Sequence, residues 1–163
     1  MDAETVALGR FLDAQRANVF EIALGLSDEA AKRPVLPSGW TIAGLVQHLA
    51  YVERYWFRDI VAGEKCDYPW SKDDPDADWR VAGDVSFDSV LALYRTEIAR
   101  SKAVLATVSL AAPPARREER WEPEWAPDFR SVVLHMIEET ARHAGHLDVV
   151  RELIDGKTGL GQN

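Results

Sequence analysis

The sequence predicts an all-α fold, a four-helix bundle with long connecting loops. Two observations point to it. Four segments of the 163-residue chain carry apolar residues at helical spacing, about 100° per residue, and no stretch alternates as a half-buried strand would. The stretches 63–85 and 109–128 have no sustained period, and the second holds Pro113, Pro114, Pro123 and Pro127. Four long amphipathic helices bury their apolar faces most simply against one another.

The first helix runs from Asp2, a capping residue, to about Leu26, with Val6, Phe11, Leu12, Val19, Phe20 and Ile22 recurring along it. Residues 27–32 form a short capped turn that Pro34 stops. Thr41 caps a second helix that reaches about Val61 and closes at Gly63; its stripe is Ile42, Leu45, Leu49, Val52, Trp56 and Ile60. Asp84 or Ser86 starts a third, to about Val108, with Phe87, Val90, Leu91, Tyr94, Ile98 and Leu105 inside. Asp128 or Ser131 caps the last helix, Gly156 ends it, and residues 157–163 fray.

Length predicts one domain over residues 1–163 with a sizeable core. The chain is 47% hydrophobic and 28% charged, with no apolar run near 18 residues and no secretory pattern at its start, which predicts a soluble, cytoplasmic protein away from membranes. A single cysteine, Cys66, excludes an internal disulfide framework. A net charge of −8 argues against nucleic acid as a partner.

The last helix carries an anomaly. Val132, Met136, Leu147, Val150 and Ile154 make one apolar stripe, and Glu139, His143 and His146 fall in the middle of it. An ionised carboxylate in a bundle core costs several kcal/mol unless something neutralises it. Glu139 and His143 are four residues apart, so their side chains meet one turn apart. Such a pair suits a divalent metal if another helix supplies a third ligand, and suits equally a Glu–His ion pair that fixes helix register. His48 lies on the shoulder of the second stripe. His135 reads as a core-edge residue, too far along the axis to share an ion with His143. Trp40 and Trp56 read as packing, and Trp70 and Trp79 as covers over one end of the bundle. Asp73-Asp74-Pro75-Asp76 lacks the spacing of a calcium loop, and no Ser-His-Asp, phosphate-loop or dinucleotide pattern is present.

Two motifs carry a resemblance. Pro37-Ser38-Gly39-Trp40-Thr41, followed by Gly44-Leu45-Val46-Gln47-His48-Leu49, resembles the start of the second helix of the DinB/YfiT-like metalloenzyme superfamily. His135-Met-Ile-Glu-Glu-Thr-Ala-Arg-His-Ala-Gly-His146 and Arg151-Glu-Leu-Ile-Asp-Gly156 resemble its last helix, most closely in the actinobacterial DinB-like branch. Order and spacing extend the likeness over nearly the whole chain, although the motifs occupy only about 35 residues. The glutamate form also resembles the mycothiol-dependent maleylpyruvate isomerases, which carry a further domain; none is expected within residues 1–163.

The resemblance implies His48, Glu139 and His143 as metal ligands. His146, where many members have glutamine, is left as a fourth ligand, a supporting hydrogen-bonding group or a proton shuttle. Two imidazoles and a carboxylate suit zinc, nickel, iron(II) or manganese, zinc or nickel foremost, with positions left for water or substrate. The implied function is a metal-dependent S-transferase or isomerase that uses a low-molecular-weight thiol such as mycothiol on a small-molecule substrate. The alternative is a protein that binds metal or a small molecule without turnover. A homodimer is implied by the family and by Trp70, Trp79, Trp121 and Trp125, which look exposed in sequence.

Overall fold

A computed structural model describes residues 2–118, 122 and 125–159. Trp121, Pro123 and the tail residues 160–163 lie outside the described residues. The elements in order are α1 (Ala3–Ala23), the single turn α2 (Asp28–Ala31), α3 (Ile42–Glu53), a π-helical extension of α3 (Arg54–Val61), a 3₁₀ turn (Ala77–Trp79), α4 (Phe87–Thr107) and α5 (Phe129–Asp155). No strand occurs among the described residues, and none of the helices there is long and apolar enough to cross a membrane.

The helix starts follow local chemistry. Asp2, Ser27, Thr41, Ser86 and Asp128 each accept a hydrogen bond from the backbone N–H three residues on, satisfying a donor that the first turn leaves open. Of the paired candidates, Ser86 and Asp128 are therefore the caps. α5 ends at Gly156, whose φ of 76° is the left-handed conformation that a side chain disfavours.

α1 packs chiefly on α5, and α3 with its extension on α4. The apolar interior forms two clusters. One gathers Val19, Ile22, Leu45, Leu49, Tyr94, Leu147 and Val150; the other gathers Leu12, Trp56, Phe57, Phe129, Val132 and Met136. Polar residues lie between them along three helices: Arg16 on α1, Glu53 on α3 and Thr140 on α5 are all buried. Arg16 donates Nε and Nη2 to the two carboxylate oxygens of Glu53 at 2.7 and 2.6 Å.

Three details differ from the periodicity. The second helix does not continue as α-helix to Val61 but widens from Arg54 onward, where Ala62 N donates to the Phe57 carbonyl five residues back. Trp56, Phe57, Ile60 and Val61 all face inward along this segment. α1 stops at Ala23, short of Leu26. Phe11 is 65% exposed, while Arg16 takes a core position because Glu53 neutralises it.

Candidate metal centre

α5 presents Glu139 and His143 on one face, and α3 presents His48 opposite them. His143 Nε2 lies 3.1 Å from Glu139 Oε1, and His48 Nε2 lies 3.6 Å from the same oxygen. One ligand atom from each residue falls within 4.8 Å of the others. Ligands held tetrahedrally at zinc distances stand about 3.3 Å apart, so two of these separations already match and the third needs a small closure. The side chains are 12–24% exposed, which leaves the site open on one side.

The electrostatics match a place prepared for positive charge. Hydrogen bonds from His143 and His48 hold the Glu139 carboxyl well below the usual carboxylate range. Burial disfavours a charged His48 ring, yet hydrogen bonds to Asp78 and Glu139 outweigh it and raise its pKa. A proton or a metal cation therefore meets the same demand at His48 Nε2.

Asp78 supplies the other half of the His48 environment. Its Oδ2 lies 2.6 Å from His48 Nδ1, so the ring donates Nδ1–H to it and turns Nε2 toward Glu139. Trp79 stacks on the same imidazole with ring centroids 4.2 Å apart. His143 has no such support: its Nδ1 is buried without a hydrogen-bond partner. The ring is instead fixed by edge contacts with Trp79, His48 and His146.

His146 does not join the cluster. Three residues beyond His143 is 60° short of a full turn, which places His146 on an exposed face while Leu147 goes inside. Trp70 and Trp79 are half-buried, and Trp125 is 52% exposed; Trp121 lies outside the described residues.

A cavity of about 980 Å³ opens from His48 and Glu139. That volume accommodates a small organic molecule. Val52, Trp56, Trp70 and Trp79 give it apolar walls, and Lys72, Arg116 and Arg117 line it together with the carboxylates of Asp59, Asp76, Asp78, Glu118 and Glu139. Arg116 is engaged by Asp59 and by the carbonyls of Gly63 and Glu64. His135, read from sequence as core-edge, lines this cavity, its ring set against Trp56 and Trp125. Burial lowers its pKa.

Comparison with known proteins now bears on this geometry. The family model described as mycothiol-S-transferase matches residues 7–156. The chain belongs to that family. The match agrees with the DinB-like resemblance of the two motifs. Among solved structures, the crystal structure of a conserved protein from Enterococcus faecalis is similar over 96% of this chain and 99% of its own, with a TM-score of 0.68 at 15% identity. At that identity the likeness shows the fold. No curated protein matches the chain.

Proposed function

We propose that the protein is a divalent-metal-dependent thiol transferase, with mycothiol as its thiol co-substrate. The observation that carries the reading is the convergence of His48, Glu139 and His143, two of which line the cavity, in a chain of this family. The donor set fits a metal: two imidazole nitrogens and one carboxylate at near-ligand spacing suit zinc or nickel and leave further positions open. A divalent ion held there would supply the positive charge that keeps a thiol as thiolate, the nucleophilic form.

The chain's own residues do the rest. Asp78 holds the His48 ring with Nε2 toward the ion position. Glu139 brings the one formal negative charge of the ligand set, so a divalent cation retains a net charge of about +1 to hold an anionic sulfur. Trp79 covers the His48 ring and limits water there. The cavity has room for an electrophile beside the thiol.

The test is to purify the protein without an affinity tag or chelator, measure its metal content, and follow mycothiol conjugation to a chromogenic electrophile. Turnover lost on chelation and restored by zinc or nickel supports the reading. Metal-independent conjugation, or none at all with the metal bound, contradicts it.

A further inference from the structure

The 3₁₀ turn Ala77–Trp79 is clamped to α3 by three residues that share one helix face, Gly44, Gln47 and His48. Gln47 Nε2 donates to the carbonyl oxygens of Asp78 at 2.7 Å and Arg80 at 3.2 Å, so one amide grips the turn on both sides of Trp79. A Cβ on Gly44 would collide with the Trp79 carbonyl oxygen, which shows that the turn rests directly on the α3 backbone. One turn of helix further on, His48 takes the Asp78 carboxylate at Nδ1 and the Trp79 ring on its face. Asp78 is 4% exposed. Sealing the cavity alone would not call for a buried carboxylate, since an apolar side chain would do it without the desolvation cost.

We propose that Gln47 is a positioning residue for the ion site: it sets the Ala77–Trp79 turn so that Asp78 holds His48 with its proton on Nδ1 and its Nε2 lone pair toward Glu139 and His143. The inference rests on the reading of His48 as a ligand, and a measurement on metal-free protein separates the two. Neutral imidazole can carry its proton on either nitrogen, and the partner of one nitrogen decides what the other offers. Remove the grip and Asp78 drifts from Nδ1, so the ring loses its tautomer and its aim together.

Two variants test this. Gln47→Met keeps the length and removes both donors. Gly44→Ala leaves every polar group in place and displaces the turn by collision with its backbone. The first readout is ¹⁵N NMR of the His48 ring in metal-free protein at a pH where the ring is neutral. Wild type is expected to hold the proton on Nδ1, and both variants to show mixed or reversed tautomers. The second is the affinity for zinc alone, expected to fall by about 10–100-fold in both variants, the range for lost outer-shell support. A wild-type ring protonated on Nε2, or variants that keep the wild-type tautomer and zinc affinity, would overturn the proposal. If wild type binds no zinc, the metal reading fails, and the NMR comparison still decides the positioning role. If Gln47→Met does not fold, Gly44→Ala gives the same decision alone.

Discussion

Asp78 and His48 stand 30 residues apart in the chain, yet Asp78 Oδ2 and His48 Nδ1 are 2.6 Å apart. That hydrogen bond joins an aperiodic loop to a ligand candidate on a helix, and it gives His48 a defined direction. Replacing Asp78 with Asn keeps the shape and removes the charge that the imidazole N–H meets. Zinc affinity, measured by calorimetric titration, should fall by about 10–100-fold. An unchanged affinity would mean that packing alone aims the ring.

The buried pair Arg16–Glu53 predicts a stability effect separate from the site. Both side chains are almost fully enclosed, at 4% and 1% exposure, and the contact is bidentate. Glu53→Ala leaves a buried guanidinium without its main partner and should destabilise the fold by about 3–5 kcal/mol in denaturant unfolding. Replacing both residues, as Arg16→Met with Glu53→Leu, should cost less than the single change, because no uncompensated charge remains. A double variant as unstable as Glu53→Ala would contradict this.

The pH dependence has opposite signs with and without metal. In metal-free protein the His48 pKa is raised above its ordinary 6.5. Its contribution to stability is fully present below about 6.5 and is lost as pH rises through the folded value. Glu139 is shifted down, so its contribution is present above the ordinary 4.5 and lost as pH falls through the lowered value. Thermal melts of chelated protein should therefore show this contribution being lost as pH rises above about 6.5 and through the raised His48 value. Metal affinity should rise over the same range, because an ion must displace the proton from His48. A metal-induced increase in Tm that does not grow with pH would contradict the shared position.

His146→Gln should retain the full metal content of wild type in elemental analysis. The His146 ring is exposed and lies beside His143 rather than facing His48. Loss of metal in this variant would restore His146 as a ligand.

Helix content, caps and the Glu139–His143 pair were legible because they depend on short-range spacing along one helix. His48 was legible through its motif, since a lone histidine on a stripe shoulder carries little signal by itself. Asp78 was not, because it sits in a loop without a period and its role comes only from the 3₁₀ turn that lands on Gly44 and Gln47. The widening of the second helix at Arg54 was equally hidden, since inward positions at Trp56, Phe57, Ile60 and Val61 fit an ordinary helical stripe as well. The sequence reading put His146 in the middle of the stripe, whereas the residue is exposed. Arg16 carried no signal in the sequence, because its partner Glu53 lies 37 residues away.

The central claim is that Glu139 supplies the negative ligand of a catalytic ion. Glu139→Gln keeps nearly the same volume and removes that charge. The decisive measurement is metal stoichiometry together with the rate of mycothiol conjugation to an electrophile, for wild type and Glu139→Gln side by side. The account predicts metal and turnover in wild type, with weakened metal retention and no turnover in the variant. A Glu139→Gln protein that conjugates mycothiol as fast as wild type would contradict it.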